Sequence, residues 1–243
     1  MKLVDVFESK KSNYGIVWPY LIAEAGVNHE GNLDTAKRLV VEAAEAGANG
    51  IKFQSYKASS LASKFSPSYW DLSEEPTDSQ YKLFQKYHTF NPNDYETLAR
   101  YCKEIEIDFM STPFDDDAIK YLNPLVPAFK IASADINNLP FLTKIAKTKK
   151  PILLSTGAST LDEIKIAIKV LEKSGSKHIA LMHCILNYPT KNENANLNMI
   201  KSLSEQFKNY TIGYSDHTLP DAEMSCLITS YILGARIIEK HFT

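Results

Sequence analysis

Glycine is scarce, with nine in 243 residues. A dinucleotide-binding fingerprint and a phosphate-cradling loop are both built on closely spaced glycines, and the chain shows neither, nor a GxSxG nucleophile elbow. Cysteine is scarcer still: Cys102, Cys184 and Cys226 are odd in number and far apart. They form no CxxC metal site and no disulfide framework, so reduced thiols in a cytoplasmic protein are expected. Charge of one sign is missing too, since 27 Lys and Arg face 29 Asp and Glu for a net −2. That balance lacks the basic excess of a nucleic-acid footprint, and no nucleic-acid partner is expected. No apolar run reaches the ~18 residues of a membrane span. The opening MKLVDVFESKKSNYG has no signal-peptide core, so neither a membrane nor secretion is expected.

What the chain has is a repeated rhythm. Short apolar runs lie at 20–26, 50–56, 108–114, 128–134, 151–157, 179–184, 212–218 and 236–242. Runs this apolar predict strands buried on both faces, as in parallel sheets covered by helices. Helical periodicity fills the gaps. Leu33, Ala36, Leu39, Val40, Ala43 and Ala44 share one face, with Asn32 as N-cap and Gly47 as stop. Tyr95, Leu98, Ala99, Cys102 and Ile105 repeat the pattern, as do Leu161, Ile164, Ile168 and Leu171, and the stretch 222–233 closed by Gly234. Strand and helix alternating eight times predict parallel crossovers and a (β/α)8 TIM barrel of the α/β class. An open doubly wound sheet has the same strand count. Residues 1–19 are set apart as an N-terminal cap segment, and 20–243 as the barrel domain. The connection between strands two and three carries an excess, 58–89, rich in Ser, Tyr and Trp. A binding lid and a neutral surface insertion are both open readings of it. The sequence ends just past strand eight, with no residues for an eighth helix.

Polar residues gather at the C-terminal strand ends, where a (β/α)8 barrel keeps its site. In strand order they are Glu24, Lys52 with Gln54, Ser111 with Thr112, and Lys130 with Ser133 and Asp135. Then come Ser155 with Thr156, His183 and Tyr188, Asp216 with His217, and Glu239 with His241. Period two puts Lys52 with Gln54, and Glu239 with His241, on shared faces. So many buried charges are costly unless paired or holding a ligand. Two lysines with nearby hydroxyls suit a ligand bearing two anionic groups. His217 and His241 either share a divalent cation as neutral imidazoles or are ordinary hydrogen-bonded histidines. Glu24 and Asp135 are candidate proton-transfer groups. His183 reads either as a buried, hydrogen-bonded histidine or as a third ligand, and His29 and Glu30 as a loop that caps the next helix.

The segments IAEAGVNHEG (22–31), GIKFQSY (50–56), STPFD (111–115) and FKIASADINNLPFL (129–142) resemble the sialic acid synthase family, in order and with its spacing. PILLSTGAS (151–159), MHCILNYPT (182–190), IGYSDHT (212–218) and IEKHFT (238–243) complete the resemblance. It implies a barrel that condenses phosphoenolpyruvate with an N-acyl amino sugar of the N-acetylmannosamine kind. The product is a nine-carbon 2-keto sugar acid of sialic, legionaminic or pseudaminic type, and phosphate leaves. It implies Mn2+ or Mg2+ held by His217 and His241. Lys52, Thr112, Lys130, Ser133 and Ser155 map to phosphoenolpyruvate. Glu24, Gln54 and Tyr188 map to the sugar, and Glu24, Asp135 and His217 to catalysis. Members continue into a further helix and an antifreeze-like domain that reaches over the partner's site in a homodimer. Here that domain is absent, Asp135 stands where several members carry Glu, and Leu186 replaces an amide or hydroxyl, with Asn187 one position on as the candidate phosphate contact. Two rival readings stay open. One is another phosphoenolpyruvate-condensing synthase, such as one making 3-deoxy-octulosonate 8-phosphate. The other is an inactive barrel fragment that binds sugar or serves as a scaffold.

Overall fold

The computed structural model describes residues 1–8, 17–87 and 90–242. Parts of the cap segment (9–16), the last two residues of the 58–89 excess and Thr243 lie outside the described residues.

Eight parallel strands form one sheet: β1 (Tyr20–Gly26), β2 (Gly50–Ser55), β3 (Asp108–Pro113), β4 (Phe129–Ile131), β5 (Ile152–Ser155), β6 (Ile179–His183), β7 (Thr211–Asp216) and β8 (Ile237–His241). Their order is β3-β2-β1-β8-β7-β6-β5-β4. The pairing of β1 with β8 decides between the two candidate architectures. It bends the first strand onto the last and leaves β3 and β4 side by side across a seam, packed but without ladder pairing. The chain is therefore a nearly closed (β/α)8 barrel.

Alternation divides the strands into two packing surfaces. Phe53, Phe109, Phe129, Ile131, Leu154, Leu181 and Ile238 point outward into the helix layer. Tyr20, Ile22, Met110, Ala128, Leu153, Ala180, Met182 and Ile237 point inward and fill the lower barrel. Helix α1 (Leu3–Glu8) plugs that lower end, burying Leu3 and Val6 against the inward set. Each such fully buried side chain contributes roughly 1.5–3 kcal/mol.

Helix starts follow side-chain capping. Asn32 accepts from Asp34 and Thr35 amides at the head of α2 (Leu33–Glu45), and Gly47 beyond its end takes φ +83°. The β2–β3 excess folds around α3 (Ala58–Leu61) and α4 (Gln80–Tyr87), with a Pro67–Ser79 bridge between them. Trp70 Nε1 clamps it by donating to the Glu75 and Thr77 carbonyls. Asn91 and Asp94 form a capping box on α5 (Pro92–Glu104). Then follow α6 (Asp116–Leu122), α7 (Leu139–Ala146), α8 (Leu161–Lys173), α9 (Asn198–Gln206) and α10 (Ser225–Ile232).

Two boundaries differ from the periodicity. The stretch 222–233 is helical only over α10, because the Asp221 carboxylate draws in the Glu223 and Ser225 amides and holds 222–224 in a turn. The run 128–134 is extended only over β4, since Ser133–Asp135 coils into a 3-10 turn closed by the Asp135 amide on Ala132. Among the described residues no helix is long and apolar enough to cross a membrane.

Inside the ring, Gly213 on β7 faces Met182. A Cβ at this position would lie 2.4 Å from Met182 Sδ and 2.7 Å from the Ile237 carbonyl. Gly213→Ala is expected to overpack the barrel and cost about 1–3 kcal/mol, read as a lower urea midpoint.

Candidate active site

Above the apolar inward layer lies a polar one. Register places Glu24 beside Lys52 across β1 and β2, and Ser215 beside Glu239 across β7 and β8. Lys52 Nζ forms an ion pair with Glu24 and lies 3.7 Å from Glu239 Oε2. Lys130 Nζ lies 3.1 Å from Glu239 Oε1, to which the Ser215 hydroxyl also donates at 2.7 Å. Lys52 donates to Thr112 Oγ1 at 3.1 Å, and Gln54 Nε2 to Glu24 at 3.4 Å. All four charged side chains are 1–5% exposed. Two cations and two carboxylates thus share a dry chamber, each bought out of water only by the others.

The balance sets their protonation. Burial pushes the Glu24 carboxyl up, Glu239 adds to that, and Lys52 opposes it. Burial would also raise Glu239, but Lys130 and Lys52 together hold it well below the ordinary carboxylate range. Burial works against the Lys130 ammonium, yet Glu239, Cys184 and Glu24 keep its pKa raised. Glu24 Oε2 takes the Lys52 ion pair, whereas Glu239 Oε2 has no hydrogen-bond donor, Lys52 Nζ being 3.7 Å away.

The two histidines stand beside this cluster, with ring centroids 5.4 Å apart. Burial, with smaller help from neighbouring cations, lowers both imidazoles to about 4, so they are neutral at pH 7. His217 Nδ1–H donates to the Ile185 carbonyl, which leaves Nε2 with its lone pair free. Neutral rings, one with its tautomer fixed, are what a divalent cation needs from imidazole. Among the described residues no group of three or more His, Cys, Asp or Glu is arranged to hold a metal. Two ligands leave most coordination positions to water and substrate. Tyr188 lies over His217 at 4.0 Å between centroids.

The structure joins Glu24, Lys52, Gln54, Thr112 and Lys130 into one network, and sets His217, His241 and Tyr188 next to it. Ser155 is buried at the end of β5. Ser133 is on the 3-10 turn rather than on β4, near Cys184 Sγ and Gly157. Asp135, on the same turn, is half-buried with a raised pKa, chiefly from burial. Its hydrogen bond is with Asn138 Nδ2, not with the lysines. Asn187 is exposed and offers its carbonyl to Thr190, while Leu186 lies against Gly157. His183 points out of the barrel, stacks on Tyr214 and donates to the Ala195 carbonyl, so it is a structural histidine and not a third ligand. His29 accepts from the Gly31 amide and stacks on Phe90 at 3.9 Å, holding its own loop.

Glu239 is the residue that sequence reasoning undervalues. It is noted only as sharing a face with His241, yet among the described residues it alone pairs with both lysines. The signal was available: an inward carboxylate flanked by two inward cations has to be their counter-ion. Ser215, two residues before His217, carries no comparable signal.

Residues 39–243 match the NeuB family. The chain belongs to that family. An N,N'-diacetyllegionaminic acid synthase of Campylobacter jejuni is 42% identical over 92% of this chain and 67% of its own length. An N-acetylneuraminate-9-phosphate synthase of Drosophila melanogaster is 37% identical over 92% of the chain and 60% of its own length. The solved N-acetylneuraminic acid synthetase of Leptospira borgpetersenii, in complex with citrate, superposes with a TM-score of 0.83 at 32% identity, covering 97% of this chain and 78% of that one. This NeuB-family chain spans about 60% of the length of the first curated relatives it matches.

Removing Lys52 exposes the logic of the cluster. Lys52→Met takes away the main group opposing the rise of Glu24, so that carboxyl titrates still higher in the fold than in the unfolded chain. A folded pKa above the unfolded one means stability present at low pH and lost as pH rises through the folded value. The variant is expected to lose about 3–5 kcal/mol at pH 8 and less at pH 5, as measured by urea melts at the two pH values.

Proposed function

We propose that this barrel condenses phosphoenolpyruvate with the open-chain aldehyde of an N-acyl amino sugar and releases phosphate. The observation that carries the reading is the buried Glu24–Lys52–Glu239–Lys130 cluster beside a pair of neutral imidazoles at the catalytic end of the ring. Lys52 and Lys130 supply fixed positive charge for the carboxylate and phosphate of phosphoenolpyruvate. Thr112, Ser133 and Ser155 add hydroxyls that orient those groups. Their present counter-ions keep the lysines charged and aimed before the substrate arrives, so little reorganisation is left for the reaction itself.

The bonds balance as follows. C3 of phosphoenolpyruvate attacks C1 of the sugar aldehyde, water adds at C2, and the C2 phosphate leaves as inorganic phosphate. Three carbons and six carbons give a nine-carbon 2-keto acid. Glu24, with its raised pKa and its ion pair to Lys52, is placed to exchange a proton with the aldehyde oxygen or the water. Gln54 and Tyr188 face the sugar. A divalent cation, Mn2+ or Mg2+, held by His217 and His241, would polarise the aldehyde oxygen as a Lewis acid. Relatives named for sialic and legionaminic acid synthesis support this substrate class. Assembly as a homodimer belongs to the same reading.

The test is phosphate release from phosphoenolpyruvate and Mn2+ across a panel of N-acyl amino sugars. His217→Ala and His241→Ala are each expected to lower turnover by more than about 100-fold while circular dichroism stays native. Lys130→Met is expected to raise the KM for phosphoenolpyruvate at least tenfold, about 1.4 kcal/mol of lost binding. Metal-dependent turnover that survives in both histidine variants would sink the reading.

A further inference from the structure

The polar set at the strand ends includes one carboxylate that the proposed chemistry does not use. Asp216 is 1% exposed. It follows the inward Ser215, so it faces out of the barrel, as Lys240 does between the inward Glu239 and His241. Asp216 and Lys240 are register partners, the last pair in the β7–β8 ladder. Lys240 Nζ lies 2.7 Å from Asp216 Oδ2 and also donates to the Thr218 carbonyl. Asp216 collects three further donors: Tyr214 OH at 2.8 Å, the Thr218 amide at 2.9 Å and Thr218 Oγ1 at 3.0 Å.

The position of this pair gives it a role. His217 is the residue after Asp216, and His241 the residue after Lys240. Each imidazole has its own tether on the side away from the other. His217 is held by Ile185 and, through its carbonyl, by the Thr190 amide. His241 is held against β1, where it is in register with Glu24. Lys240 joins the two histidine-bearing segments directly, through Asp216 and Thr218 on either side of His217. A cavity of about 570 Å3 reaches both imidazoles and both members of the pair. Tyr188 packs on both imidazoles from the cavity side, and the hydrogen-bonded pair ties their two segments together from outside the barrel.

We infer that Asp216 and Lys240 are positioning residues that set the separation of His217 and His241 from outside the barrel, and through it the affinity of the site for a divalent cation. This rests on the two-histidine assignment proposed above. Outer partners that orient metal ligands are typically worth 10–100-fold in affinity.

The experiment titrates the chain with Mn2+ alone and reads free Mn2+ by electron paramagnetic resonance. Lys240→Met is expected to weaken binding about 10- to 100-fold, because Asp216 keeps three donors and the fold survives. Lys240→Arg, which retains the charge and the reach, is expected to restore most of the affinity. Tyr20→Phe serves as the control. It removes a hydroxyl donor from the Asp108 carboxylate at the opposite end of the barrel and is expected to bind Mn2+ as the unsubstituted chain does. A folded Lys240→Met that binds Mn2+ with unchanged affinity overturns the inference and leaves the histidine assignment standing. Equal weakening in Tyr20→Phe also overturns it, since loosening anywhere would then suffice. An unsubstituted chain that binds no Mn2+ overturns both. Should Lys240→Met fail to fold, Thr218→Val removes a hydroxyl that donates to Asp216 and lies 3.5 Å from Lys240 Nζ, and unchanged Mn2+ affinity in that variant counts against the inference.

Discussion

Everything at the catalytic end depends on keeping two ammonium groups and two carboxylates away from water without losing any of them. Lys52 lies between Glu24 and Glu239, and Glu239 is shared between Lys52 and Lys130. These residues come from β1, β2, β4 and β8. No two adjacent strands could bring them together. The ring does so by closing β1 on β8, which puts the far ends of the chain in contact. Closure of the barrel and charge balance of the site are thus one constraint. Remove any single member and the remaining charges are stranded in a low-dielectric interior.

The inward face is graded along the barrel axis. Its lower part is apolar and tightly filled, down to a glycine where no side chain fits. Its upper part is polar and carries the paired charges. The filled layer fixes strand spacing, and the polar layer inherits that spacing. A site placed on such a support keeps its groups aimed in the absence of ligand, which is where electrostatic preorganisation comes from.

Much of this was legible in the sequence. Eight buried-strand runs predicted eight strands, and each lands within a few residues of its element. Strand-end lysines, hydroxyls and histidines were legible because they interrupt apolar runs, where a charge has no reason to be without a partner. What the sequence could not reveal is which partner. Asp216 sits next to His217 and Glu239 two residues before His241, yet one turns outward to Lys240 and the other inward to the lysines. Period two separates them only once the inward phase of each strand is known. The turn at Ser133–Asp135 was missed for a related reason: an apolar run does not reveal where the backbone stops being extended.

The plug at the lower end has a consequence for the order of assembly. Leu3 and Val6 of α1 join an apolar layer drawn from β1, β3, β5, β6 and β8 and from Ala128 just before β4. That surface does not exist until those strands have met, so α1 has nothing to dock on before then. Protection of its amides from exchange would therefore report on the finished barrel from a place far from the chemistry.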